Sequence, residues 1–255
     1  MTNTRFPVTF TSLAMLGGLW VVAAWLTDDP TTLPSPWIVG GLIWKLAQSG
    51  ELATHVLATL GRVAAAFALA MGIGSVLGVV MGRSAALDRW MAPWITMLLN
   101  VPALVVIVLC YLWIGLNETA AIVAVAVNKT AMVAVTLREG VRAMDPALDD
   151  MARVQRMSRI AWARHILWPQ LAPFVASATR NGLAIIWKIV LVVEFLGRSN
   201  GVGFQIHLFF SLFETGYVLA YALSFVAVMF VIEYGVVQSW ERRATRWRRA
   251  GLQRA

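Results

Sequence analysis

Cysteine, histidine and charged residues are all scarce in this chain of 255 residues. The single cysteine, Cys110, excludes a disulfide within the chain and a thiol-rich metal site. The three histidines, His55, His165 and His207, do not have metal-ligand spacing. No GxxxxGK segment followed by Ser or Thr is present, so the phosphate-cradling loop of nucleotide hydrolases is missing. We therefore predict that this chain binds no cofactor of its own.

Apolar residues make up 59% of the chain and charged residues 13%. Mean hydropathy is +0.71, and soluble domains contain only about 45–50% apolar residues. A helix needs about 20 apolar residues to cross a hydrocarbon core of about 30 Å. The sequence therefore predicts an all-α membrane protein with six transmembrane helices in one domain, residues 1–255. The runs are Phe10 to Leu26, Val63 to Met81, Pro93 to Gly115, Thr119 to Leu137, Phe174 to Leu196 and Tyr217 to Val237.

The first run has the alternative of a cleaved signal peptide. The segment that follows it, TDDPTTLP, offers no small-residue cleavage site. We therefore interpret the first run as a retained helix.

The basic residues are distributed unevenly between the loops. With six alternating helices, one side of the membrane receives fifteen of the 21 Lys and Arg, whereas the other receives Lys45 and Arg198. Short loops rich in Lys and Arg remain cytoplasmic. The pattern predicts a multi-pass membrane protein with both termini in the cytoplasm. The fifteen are Arg5, Arg83, Arg89, Arg138, Arg142, Arg153, Arg156, Arg159, Arg164, Arg242, Arg243, Arg246, Arg248, Arg249 and Arg254.

Two segments outside the runs have distinct compositions. Residues 27–53 form a predicted external segment, in which three prolines precede a short amphipathic surface helix from Trp37 to Gln48. Residues 240–255 form a basic tail that we expect to lie against anionic lipid. The net charge of +8 is thus a topology signal, and we predict no binding to nucleic acid.

Glycine and proline mark special positions within the spans. Gly74, Gly78 and Gly82 are spaced by four, which allows another helix to approach closely. Pro93 and Pro102 are expected to bend or interrupt the third span.

Residues 138–172 form the predicted loop between the fourth and fifth spans. A helix over Asp150 to Arg164 would place Met151, Val154, Met157 and Ala161 on one arc and three arginines on the opposite arc. A second short helix would then end at Pro169. The arginines either only fix the orientation of the loop or belong to a docking element for a cytoplasmic partner, and the pattern alone leaves both interpretations open.

The same loop resembles the "EAA" loop of permeases in bacterial binding-protein-dependent ABC importers, E-A-A-x-x-x-G followed by I-x-x-P. Asp150, Met151 and Ala152 stand at the E-A-A positions, and Arg156 stands at the glycine position. Other segments are similar to the nitrate/sulfonate/taurine-type branch: LPSPWIVGGLIWKLAQSGEL, HVLATLGRVAAAFALAMGIGSVLGVVMGRS, VPALVVIVLCYLWIGLNE and VEFLGRSNGVGFQI.

The resemblance implies a type I importer permease of the bacterial inner membrane, with a cytoplasmic coupling helix. It also implies two ATPase subunits that bind ATP and Mg, a second permease copy and a periplasmic substrate-binding protein. The second copy is expected to be identical, which makes a homodimer. The coupling residues that it implies are Asp150, Met151, Ala152, Arg153, Val154, Arg156, Met157 and Ser158.

Ionisable residues inside spans are energetically costly and are therefore candidates for a substrate pathway. Three cations against one carboxylate favour an anion such as a sulfonate, nitrate, bicarbonate or organic carboxylate. The structural alternatives are that Lys188 and Glu194 are paired across helices or snorkel, and that Arg62 lies near the external surface. The candidates are Arg62, Asn100, Asn128, Lys129, Trp187, Lys188 and Glu194, with Asn181 as a further polar neighbour.

We expect a transport subunit of an ATP-driven importer. The main alternative is a channel or secondary transporter without an ATPase, but the chain shows no internal repeat and only Glu194 as a clear carboxylate within a span. A membrane enzyme is disfavoured because no cluster of His, Asp and Glu and no activated nucleophile is present.

Overall fold

The computed structural model describes residues 5–233 and 235, with side chains from residue 11 onward. The basic tail at 240–255 lies outside the described residues. The described chain is helical and contains no strand. Its helices are α1 (Arg5–Thr27), α2 (Pro36–Ser49), α3 (Glu51–Arg83), α4 (Ala85–Asn100), α5 (Ala103–Ile114), α6 (Glu118–Arg142), α7 (Pro146–Val154), α8 (Arg159–Trp162), α9 (Trp168–Gly197), α10 (Val202–Ser211) and α11 (Thr215–Ile232), with a π-helical turn (Ala163–Leu167) between α8 and α9.

Three described helices, α3, α6 and α11, are long and apolar enough to cross a membrane, and the bent pair of α4 and α5 adds a fourth candidate. The expected number of six spans is not confirmed. The apolar part of α1 with described side chains, Thr11–Thr27, is shorter than a full span. Helix α9 has 30 residues, carries Arg180, Lys188 and Glu194, and is not among these candidates.

Helix α6 forms the centre of the bundle. It contacts α3, α9, α5 and α4, and small residues such as Ala124 and Ala134 are almost completely buried on it. Helices α3 and α6 run side by side along most of their length. The small side chains allow this close approach, because dispersion contacts between helix backbones drive association where lipid removes the hydrophobic effect.

The three glycines spaced by four on α3 lie against α6, as the sequence predicts. A Cβ atom added to Gly78 would lie 2.5 Å from the carbonyl oxygen of Ala134 and 2.7 Å from the Cβ of Leu137. Gly74 and Gly82 meet Val133 and Val141 in the same way. The contact partners of Gly78 are backbone atoms and a Cβ atom, which cannot rotate away.

We expect Gly78→Ala to destabilise the chain by about 1–3 kcal/mol, because overpacking of a tight contact has this cost. Gly72→Ala is the matched control, because a Cβ at Gly72 meets nothing within 4 Å. Unfolding of purified protein in SDS measures both variants. Equal stability of the two variants would contradict the close α3–α6 contact.

The third predicted span is broken at Pro102 and not at Pro93. Pro93 lies inside α4, which continues to Asn100. Val101 is extended, with ψ of 124°, as expected for the residue before a proline. The axes of α4 and α5 therefore meet at 97°.

The helix bundle has two ends. The loop end carries the last turns of α3 and α6 together with α7, and the far end carries the first turns of α3 and α6 together with the last turn of α9. Helix α2 packs against α11, close to the far end.

Candidate functional site

Helix α7 is shorter than the predicted helix over Asp150 to Arg164, which is therefore wrong in extent. Asp145 caps its start, because its carboxylate accepts a hydrogen bond of 2.9 Å from the N–H of Ala147. The helix ends at Val154, and Arg156 then adopts a left-handed conformation with φ of +51°. Ser158 caps α8 by accepting a hydrogen bond of 3.2 Å from the N–H of Ala161.

The turn at Arg156 separates the predicted apolar arc into two parts. Met151 and Val154 are on α7, whereas Met157 and Ala161 follow the turn. Ala152 is the buried residue of α7. Val154 is 83% exposed and Met151 42% exposed, so this part of the arc is open to a partner.

One contact holds the loop together, and two connect it to the bundle. The indole N–H of Trp162 donates a hydrogen bond of 2.7 Å to the carboxylate of Asp149. The guanidinium of Arg83, at the end of α3, lies 4.2 Å from the centroid of the Trp162 ring. The N–H of Asp145 donates to the side-chain oxygen of Gln170 at 2.9 Å. These contacts connect α7 to α8, and the loop to α3 and α9.

A buried ionic network occupies the far end. Arg62 is 4% exposed and Glu194 is fully buried, and Nη1 of Arg62 lies 2.6 Å from Oε1 of Glu194. Nε of Arg62 lies 2.6 Å from Oε1 of Glu118, and Nη2 donates to the side-chain oxygen of Asn200. For Glu194 this is the expected structural alternative of a pairing across helices, because Arg62 lies on α3 and Glu194 on α9.

The same carboxylate caps the start of α10. Gly203 N–H donates to Oε2 of Glu194 at 2.8 Å, and Val202 N–H donates to the hydroxyl of Thr59 at 2.9 Å. Gly201 N–H donates to Nδ1 of His55 at 3.1 Å. Side chains of α3 and α9 thus satisfy N–H groups that a helix start leaves without partners.

The segment RSNGVGF is rich in glycine and so indicates a turn, but it does not reveal that Gly201 and Gly203 are required by this cap. A Cβ at Gly201 would collide with the carboxyl group of Glu194, and one at Gly203 would collide with the carbonyl of Leu191. The only sequence signal is the GVG spacing after a carboxylate, which is too short to be specific.

The remaining pathway candidates lie apart from this network. Lys129 is 9% exposed, and within residues 5–233 and 235 it has no hydrogen bond or ion pair. Lys188 is exposed, and its Nζ lies 5.5 Å from the ring centroid of Trp187, which packs edge-on against Phe225. Asn128 is half-buried, and Asn100 is exposed with its amide bonded to the carbonyl of Thr96. Asn181 is exposed.

The family model "Binding-protein-dependent transport system inner membrane component" matches residues 70–238, which is more than half of the chain. The chain belongs to this family. It is therefore a membrane component of a transport system, a permease, and not an enzyme.

Two curated relatives match the permease over most of its length. The putative aliphatic sulfonates transport permease protein SsuC of Bacillus subtilis is 31% identical over 234 residues, 92% of this chain and 82% of the relative. The taurine transport system permease protein TauC of Escherichia coli is 26% identical over 233 residues, 89% of this chain and 84% of the relative.

A solved chain of the MetNI methionine ABC transporter, in an inward-facing conformation, has the same fold. The TM-score is 0.66 with 16% identity, and the match covers 75% of the permease and 94% of that chain. The expected fold class of an importer permease is thereby confirmed. At this identity the likeness concerns the fold alone.

The left-handed residue of the loop coincides with the glycine position of the EAA pattern. Glycine adopts positive φ without a steric penalty, whereas arginine has a Cβ that makes it strained. The permease thus keeps the turn that a glycine would favour and places an exposed guanidinium there.

Proposed function

We propose that the permease is the transmembrane subunit of an ATP-driven importer that passes a small anion from a periplasmic binding protein to the cytoplasm. The observation that carries the substrate class is the buried, unpaired ammonium group of Lys129 within the described bundle. Burial of an isolated charge costs free energy. The presence of a buried ammonium group therefore favours an anionic substrate that pairs with it.

The depth of the two lysines supports the same proposal. Lys129 lies eleven residues from the start of α6, and Lys188 lies nine residues from the end of α9. At about 1.5 Å per residue, both are about 15 Å from the far end. This is half of a hydrocarbon core of about 30 Å. Two cations at the same depth form the basis of an anion route.

The exposed face of α9 supports a dimer. Ser177, Asn181 and Lys188 are exposed on it in the single chain. Polar side chains at membrane depth face a protein or a water-filled cavity and avoid lipid. A second copy of the permease against this face would cover them, and two ATPase subunits, which bind ATP and Mg, would complete the transporter.

The orientation that we propose places the loop end and both termini in the bacterial cytoplasm. Its support is the excess of Lys and Arg on one side. A cysteine introduced at Ser158 should react with an impermeant maleimide only after permeabilisation, and one at Ser199 should react in intact cells. The reverse labelling pattern would contradict this orientation.

We expect Lys129→Met and Lys188→Met to lower anion uptake by about tenfold or more, because an interaction with a charged group contributes about 1.5–3 kcal/mol. Uptake of the anion carried by the partner binding protein is measured in proteoliposomes. Lys45→Met is the matched control, because Lys45 is exposed on α2, outside the spans. Assembly should remain normal, since the change removes an unpaired charge. Wild-type uptake in both variants would contradict the anion route.

A further inference from the structure

A cleft of about 650 Å³ lies between α7, α8 and the end of α3. Four guanidinium groups line it, contributed by Arg83, Arg153, Arg156 and Arg159. Asp149 and Trp162 form another part of the wall. The cleft is therefore strongly basic.

The negative charge within reach does not balance these arginines. Asp149 accepts the hydrogen bond of Trp162. Arg153 pairs with Asp150 at 3.2 Å, but both side chains are more than 70% exposed, and such pairs are weak. In the part of the chain that the structure describes, Arg156 and Arg159 have no carboxylate partner.

The backbone at Arg156 is a second, independent observation. Its φ of +51° is a conformation that L-residues with a Cβ rarely adopt. Strained residues persist where the surrounding structure requires them, and they cluster at functional sites. The turn geometry alone would favour glycine, so the side chain of Arg156 is the feature that needs a role.

The surroundings of the cleft indicate a protein as its occupant. Val154 and Ile160 are neighbours of lining residues and are 83% and 82% exposed. Exposed apolar side chains beside a basic cleft offer a partner both an apolar contact and ion pairs with acidic residues. Protein interfaces combine contacts of these two kinds. A single inorganic anion would fill only a small part of this volume.

We infer that this cleft receives an acidic segment of the partner ATPase, with at least two carboxylates that pair with Arg156 and Arg159. Arginine forks bind carboxylates in a bidentate manner. The inference rests on the proposed function, because it requires an ATPase that docks on α7. It adds that the surface of the ATPase that docks here must be acidic, because the cleft of the permease is basic.

The substitution Arg156→Gly distinguishes a role of the side-chain charge from a role of the backbone turn. Arg156→Gly relieves the strain and removes the guanidinium, so the two roles predict opposite signs. If the charge matters, ATPase affinity falls by about 30-fold, because loss of one partner of a buried charge pair has an effect of this size. If only the turn matters, affinity stays equal or rises.

The experiment measures the dissociation constant of the ATPase from purified permease in detergent at 50 and 300 mM KCl. We expect Arg156→Glu and Arg159→Glu to bind more weakly than Arg156→Gly and to lose most of the salt dependence. Arg164→Glu is the matched control, because Arg164 is exposed on the same loop but does not line the cleft. It should bind as the wild type does.

Three results would overturn the inference. An affinity of Arg156→Gly that equals or exceeds that of the wild type would show that only the turn matters. Loss of co-purified phosphatidylglycerol in Arg156→Glu with unchanged ATPase affinity would assign the cleft to a lipid headgroup. Failure of the wild-type permease to bind any ATPase would overturn the proposed function as well, whereas the first two results leave that function intact.

Discussion

Arg62→Ala should destabilise the permease by about 3–5 kcal/mol, the effect of leaving one partner of a buried ion pair without its counter-charge. Glu194 is fully buried, and it caps α10 while it pairs with Arg62. Removal of the guanidinium leaves this carboxylate with only Thr59 and Gly203 as partners. Unfolding in SDS and the amount of protein in the membrane measure the loss.

Arg198→Ala is the matched control for this prediction. Arg198 also binds Glu118, at 2.7 Å, but Glu118 is 49% exposed, so the expected loss is about 1 kcal/mol or less. Arg62→Ala combined with Glu194→Gln should recover part of the stability, because the second change removes the unpaired charge. A stable Arg62→Ala variant that fails only in transport would show instead that Arg62 belongs to the substrate route.

Val154→Asp should prevent assembly with the ATPase. Val154 is 83% exposed in the single chain, so its replacement should change folding stability by no more than about 0.5 kcal/mol. Docking of α7 would bury the new carboxylate, and an uncompensated buried charge costs several kcal/mol. This corresponds to a reduction in affinity of about 100-fold or more.

Val154→Thr separates charge from shape, because threonine has nearly the volume of valine without a charge. We expect the threonine variant to retain the ATPase, with a small loss of affinity. Co-purification from the membrane and the rate of ATP hydrolysis by the complex are the measurements. Normal assembly of the aspartate variant would reduce this loop to a signal for orientation.

Features determined by local sequence were predictable. Helix α2 begins at Pro36, close to the predicted Trp37, because proline is favoured in the first turn of a helix. The glycine spacing on α3 predicted a close neighbour, which the structure identifies as α6. The break at Pro102 follows from the restriction that proline places on Val101.

Features determined by distant residues were not predictable. Arg62 and Glu194 are separated by 132 positions, and no periodicity connects them. The composition of the spans indicated that both are costly, but it could not show that they neutralise each other. The structure shows that Arg62 and Glu194 are paired, and their part in a substrate pathway stays a prediction, as it does for Lys129 and Lys188.

The coupling loop lies between these two cases. Helical periodicity assumes a continuous helix, so it placed Met157 on the same arc as Val154. The turn at Arg156 interrupts the helix, and arginine gives no warning of positive φ. The glycine position in the EAA pattern was the available signal, and the substitution concealed it.

Uptake by reconstituted proteoliposomes tests the central claim most directly. The permease, its ATPase and its binding protein are combined, with ATP inside or absent, and accumulation of the anion bound by the binding protein is followed. We expect accumulation only when all three proteins and ATP are present. Accumulation driven by an ion gradient without the ATPase would contradict the account and identify a secondary transporter.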